Sequence, residues 1–147
     1  HVISDYVNGS AERLIDEGAE HGDLLFLEGQ GSLLHPGYSA VTLGLLHGSQ
    51  PDVLVLQHLA GQTVNDDYRS RPIPPLSEVA ALYERMAAAV RPARVAAIAL
   101  NTKHLDDAAA ARAIAEAEAE TGLTADDVVR NGPDRVLDAV LAAVDAL

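Results

Sequence analysis

The sequence predicts an α/β fold, a three-layer sandwich in which a mostly parallel sheet carries helices on both faces. Three observations point there. Short continuous apolar runs, Leu24–Leu27, Val53–Leu56 and Val95–Leu100, sit between turn signals, as strands buried on both faces do. Segments with helical spacing lie between them, which calls for crossovers rather than hairpins. The 147 residues and 48% hydrophobic content fit one globular domain and are incompatible with disorder.

The elements follow in order. Val2-Ile3, Tyr6-Val7, Ala11 and Leu14-Ile15 recur every three or four residues, a helical stripe reaching about Ala19, where Gly18 and His21-Gly22-Asp23 stop it. The chain enters this pattern at once from His1, without Met, and so reads as the later part of something longer. Leu24–Leu27 is the first predicted strand. Ala40–His47 reads as a short helix closed by Gly48, and Pro51-Asp52 leads into the second strand at Val53–Leu56. A polar loop runs from Ala60 to Pro75. Ser77 is the expected N-cap of a helix through Val90, with Glu78 in its first turn. Val95–Leu100 is the third strand. Asp106–Glu120 is an Ala-rich helix ended by Thr121-Gly122, and Pro133–Ala146 is the last, with Pro near its first position.

Charge and composition narrow the partners. Ten Lys and Arg face 22 Asp and Glu, a net charge of −12 that repels phosphate backbones and anionic headgroups. Five aromatic residues, Phe26 and four Tyr, leave few platforms for base stacking. Nucleic acid and membrane are therefore excluded as partners, and a small molecule is expected. The absence of Cys removes disulfides, zinc–thiolate sites and a thiol nucleophile, and fits a cytoplasmic location. The apolar runs fall far short of the ~20 residues a membrane span needs.

Open parallel sheets bind ligands at the carboxyl ends of their strands. That rule selects three loops, Glu28–Tyr38, Gln57–Arg71 and Asn101–His104. Glu28, straight after an apolar run, has the placement of a Walker-B-like acid, or else of a carboxylate capping a neighbouring helix. Gly29 and Gly31 flank Gln30, allowing a tight turn or a close approach to a ligand. Ser32, His35 and Tyr38 follow, with His35 either a reactive imidazole or a loop hydrogen-bonding group. His58 ends the second strand, and Arg69 with Arg71 could clamp an anion or belong to a solvated loop. Asn101 and Lys103 at the third strand end could read a carbonyl and neutralise charge. The six His show no His-x-His or His-Glu-x-x-His spacing, so no metal site is expected. Neither G-x-x-x-x-G-K-[ST] nor G-x-G-x-x-G occurs, so Glu28 resembles half of a nucleotide site.

The stretch Leu27-Glu28-Gly29-Gln30-Gly31-Ser32-Leu33-Leu34-His35-Pro36-Gly37-Tyr38-Ser39, continued by Val41–Asp52, resembles the signature of the D-glutamate N-acetyltransferase-like proteins. The resemblance continues through Leu56-Gln57-His58, Pro72–Leu76, Ala99–Thr102 and Asp127–Arg135, nearly the whole chain. It implies a P-loop-NTPase-like domain, the C-terminal part of a two-domain protein. An N-terminal Rossmann-like domain, a strand and a phosphate loop would precede residues 1–147. The segment Leu59–Thr63 lacks an Arg expected near its end, which leaves the substrate open.

The implied activity is acetyl transfer from acetyl-CoA to the amino group of a small acidic amino acid such as D-glutamate. Such a reaction needs a base, oxyanion donors and carboxylate anchors. Side-chain chemistry nominates Glu28, His35 and His58 as catalytic. Gly29, Gln30, Gly31, Ser32, Tyr38, Arg69, Asn101 and Lys103 are nominated as substrate- or cofactor-binding residues. Two alternatives stand beside it, a nucleotide-dependent enzyme of the dethiobiotin-synthetase kind with Glu28 on Mg²⁺, and a non-catalytic regulatory domain. A homo-oligomer, or association with the N-terminal part, is the expected assembly.

Overall fold

Strand β2 (Arg94–Asn101) is the centre of a three-stranded parallel sheet, between β1 (Val53–Leu59) and β3 (Thr124–Asp126). The computed structural model describes residues 5–29 and 31–147. Helices α1 (Asp5–Ala19) and α2 (Ser39–Ser49) precede β1, α3 (Leu76–Ala88) joins β1 to β2, and α4 (Asp107–Thr121) joins β2 to β3. Two helices, α5 (Val128–Asn131) and α6 (Asp134–Val144), end the chain.

The register explains the core. Val53 pairs with Arg94 and Leu54 with Val95, then the ladder slips one residue so that Val55 meets Ala97 and Leu56 meets Ile98. A side-chain period of two means that a slip would normally move Val95 to the opposite face from Ile98 and Leu100. The extra residue at Ala96 keeps all three on one face, as a bulge does. There they join Leu76 and Ala80 of α3, Ile114 and Ala117 of α4, and Ala125 of β3 in one apolar cluster. Ile98, fully buried, contributes roughly 1.5–3 kcal/mol by leaving water. On the other face α6 contacts all three strands, burying Val136, Val140 and Ala143, and Arg94 donates to the Ala143 carbonyl at 2.5 Å. Three layers and a parallel sheet result.

Helix caps follow chemistry. Asp106 accepts from the Ala109 amide at 2.7 Å and caps α4, and Gly122 closes that helix in a left-handed conformation. Gly48 lies where α2 crosses α1, and a Cβ there would run into the Asn8 carbonyl oxygen.

Several expectations are corrected. Leu24–Leu27 forms no strand, and its four side chains are exposed, Phe26 at 71%. An apolar run becomes a strand only where an edge receives it, and no described strand pairs with this one. The third parallel strand is instead Thr124–Asp126, three residues too short to stand out as an apolar run. Ser77 does not cap α3. The cap position is Pro75, and Glu120 of α4 takes the Ser77 amide at 3.0 Å in its place. The stripe at Val2-Ile3 lies outside the described residues, and the remaining helix boundaries shift by one to three positions.

Candidate functional site

The carboxyl ends of β1 and β2 are locked together. Leu59 pairs with Asn101, and the Ala60 amide donates to the Asn101 carbonyl at 3.0 Å. Asn101 Oδ1 accepts from the Lys103 amide at 3.1 Å, forming a turn that leaves the Lys103 side chain exposed. Lys103 makes no ion pair with a described residue. His58, one residue from the end of β1, is half-buried. Burial pushes its pKa down from the usual value and outweighs the nearby Glu120 carboxylate, which pulls it up. His58 is therefore a neutral imidazole at neutral pH, able to accept a proton.

Behind this rim lies a polar network that sequence reasoning missed. Asp127, 5% exposed, accepts from the Thr102 amide at 2.8 Å and the Thr102 hydroxyl at 2.5 Å through one oxygen. Its other oxygen takes the amides of Val129 and Arg130, capping α5. Burial alone would raise the Asp127 pKa, but these four donors hold it below the usual carboxylate range. Arg130 completes the frame by bonding Thr102, Leu105 and Asp107. The network fixes the turn carrying Asn101 and Lys103 to the α5 end of the sheet. Its visible trace in the sequence is the Asp-x-x-Arg run Asp127–Arg130, with the N-cap residue first.

The loop ahead of α2 forms a second group. His35 Nδ1 accepts from the Gly37 amide at 3.0 Å, so the proton sits on Nε2, which faces Asp67 Oδ2 at 3.1 Å. The ring stacks on Tyr38 with centroids 4.2 Å apart and meets Tyr68 edge-on at 5.2 Å. Both nitrogens are engaged, so His35 here clamps the 65–71 turn to the loop rather than presenting a free lone pair. Ser32 Oγ accepts from the Leu34 amide, and the Leu33 amide donates to Tyr83 of α3, each at 3.1 Å. Gly31 is required by close approach, since a Cβ there would lie 2.7 Å from Tyr38 Cβ. Between this loop, α2 and α3 opens an apolar cleft of about 410 Å³, lined by Leu33, Ser39, Ala40, Leu43, Leu82 and Met86.

The nominated residues thus fall into two groups, His58, Asn101 and Lys103 at the strand ends and Gly31, Ser32, His35 and Tyr38 in the loop. Among the described residues no hydrogen bond or ring contact joins the groups. Glu28 and Gly29 are exposed, and neither hydrogen-bonds to a described residue. Gln30 lies outside the described residues. Arg69 is exposed in the turn that Asn65 holds through its side chain. Among the described residues no three His, Asp or Glu side chains gather as metal ligands, and no helix is long and apolar enough to cross a membrane.

Comparison with known proteins places this architecture. A protein named D-glutamate N-acetyltransferase from Tritonibacter scottomollicae is 38% identical over 143 residues, 96% of this chain and 42% of its own length. Another of that name from a Pseudoalteromonas species is 52% identical over 63 residues, 42% of this chain and 18% of its own length. The chain therefore spans less than half of the relatives it matches. The crystal structure of a DUF1611 family protein from Anabaena variabilis superposes with a TM-score of 0.88 at 52% identity, covering 92% of this chain and 40% of that one. Residues 1–137 match the family described as a domain of unknown function, the DUF1611_C P-loop domain, and the chain belongs to that family.

Proposed function

We propose that this chain is the part of an N-acetyltransferase that moves an acetyl group from acetyl-CoA to the amino group of a small acidic amino acid such as D-glutamate. The observation that carries the reading is the 38% identity to a protein of that name across 96% of the chain. Acetyl-CoA as co-substrate makes the enzyme cytoplasmic.

The chemistry has three demands. The substrate ammonium must lose a proton, the amine must attack the thioester carbon, and the tetrahedral oxyanion must be stabilised until the C–S bond breaks and coenzyme A leaves as the thiol. His58 is the best base among the nominated residues, because burial keeps it neutral. Glu28 is the second candidate. The amides of Gly31 and Ser32, which bond no described residue, are free to donate to the oxyanion. In a chain of net charge −12, an acidic substrate needs local cations, and Lys103 and Arg69 are exposed and unpaired among the described residues.

The test uses the chain alone and a chimera in which it replaces its counterpart in the Tritonibacter relative. Each is incubated with acetyl-CoA and D-glutamate, and free thiol and N-acetyl-D-glutamate are measured, with L-glutamate and D-aspartate as competitors. Turnover by the chimera supports the reading. A folded chimera without turnover on any of the three sinks it.

A further inference from the structure

The layer of helices is wider than the sheet it covers. Helices α3 and α4 share one apolar cluster with the three strands. Helix α2 packs beside α3 and α1 beside α2, yet neither makes a substantial contact with any strand. The helical layer therefore continues past the outer edge of β1, and among the described residues no strand pairs with that edge.

A segment suited to the edge lies just ahead of α2. Leu24, Leu25, Phe26 and Leu27 are 44%, 38%, 71% and 41% exposed, and their backbone groups bond no described residue. Four consecutive apolar side chains in water beside an unpaired strand edge leave two demands unmet, apolar burial and backbone pairing. The chain order Leu24–Leu27, α2, β1 is that of a strand, a crossover helix and a parallel neighbour. We infer that the outer edge of β1 is the seat of Leu24–Leu27, which exchanges between its exposed position and a fourth parallel strand beneath α2. Docking gives up the contact of Leu25 with Gly18 at the end of α1. It also carries Glu28 to the carboxyl edge of the sheet, level with His58, and so brings together residues that the exposed position keeps apart. The inference stands whether or not the chain transfers acetyl groups.

The chain has no Cys, so engineered pairs report cleanly. Phe26→Cys or Leu27→Cys is combined in turn with Val53→Cys, Val55→Cys or Gln57→Cys, which samples both side-chain directions and several registers. Phe26→Cys with Val129→Cys, a position 93% exposed on α5, is the control. Far-UV circular dichroism selects the variants that fold, and disulfide formation under mild oxidation is followed by intact mass. Docking requires at least one β1 pair to close, within the monomer, about tenfold faster than the control, through its higher effective concentration. Closure no faster than the control in every folded pair overturns the inference. Disulfides formed only between molecules overturn it as well, by assigning the edge to a second copy.

Discussion

The two outer edges of the sheet are finished in opposite ways. At β3, the Ala125 amide donates to Glu118 at 3.2 Å and the Ala125 carbonyl accepts from Arg135 at 3.1 Å. Glu118 and Arg135 then pair with each other at 2.7 Å. Two side chains thus occupy the places that a neighbouring strand's backbone would fill, a device that protects an edge from pairing with foreign strands. At β1 no described side chain or strand does this, and Val55 is 40% exposed. Polar satisfaction is concentrated on the β3 side and apolar exposure on the β1 side. The difference teaches where the fold is closed and where it still has a place for a strand.

If that contrast is right, removing a polar hub on the β3 side costs most. Asp127→Ala strips the acceptor from Thr102, Val129 and Arg130 at once. Orphaned buried donors of this kind should lower stability by about 3 kcal/mol in a urea titration. The same site is acid-sensitive. Its folded-state pKa lies below the unfolded value of 3.8, so its contribution is full above that pH and is lost as pH falls through the folded value. Asp127→Asn should remove that acid-limb loss, seen by comparing unfolding between pH 5 and pH 2. Glu118→Ala, which unpairs the Ala125 amide and frees Arg135, should cost less, about 1–2 kcal/mol, because half of the group is exposed. Losses below 0.5 kcal/mol for both alanine variants would mean that the β3 edge is closed by packing and not by these bonds.

The β1 side titrates in a different range. His58 has a folded-state pKa below 6.5, so the unfolded chain takes up its proton first as pH falls. The stability associated with the neutral imidazole is present above about pH 6.5 and is lost as pH drops through the folded value. His58→Gln should flatten the decline of melting temperature between pH 7 and pH 5, while leaving the acid limb of Asp127 unchanged. An identical decline in the variant would show that His58 is as solvated folded as unfolded.

How much of this was legible in the sequence depends on what each segment reports. Val53–Leu56 and Val95–Leu100 are long enough, and apolar enough, to announce strands, and both pair in parallel as expected. Thr124–Asp126 is invisible to that test because its strand character comes from its neighbours, with Ala125 set against Ile98. Leu24–Leu27 shows the reverse limit, since its apolar pattern reports a demand for burial without naming the surface that meets it. At the site, residues at strand ends were found by rule, so His58, Asn101 and Lys103 stand out. Asp127 and Thr102 did not, because a hydrogen bond between positions 25 apart in sequence leaves no periodic trace. His35 was legible as a special residue, but its engagement at both nitrogens depends on Gly37 and Asp67, which only the folded loop brings to it.

The smallest effect is expected where the largest apolar side chain is most exposed. Phe26 is 71% in water and its segment bonds no described residue, so Phe26→Ser removes little packing from the exposed position. Unfolding free energy should change by less than about 0.5 kcal/mol, as for surface positions generally. Binding of a hydrophobic dye should fall at the same time, because the run Leu24–Leu27 loses its most exposed ring. Ile98→Ala in the centre of the sheet, by contrast, should cost about 2–5 kcal/mol, since nothing fills the space it leaves. A Phe26→Ser variant destabilised by as much as Ile98→Ala would break the comparison, for it would mean that the run is held against the body of the protein most of the time. A small stability change with reduced dye binding would instead locate the apolar exposure of this molecule on the open side of its sheet.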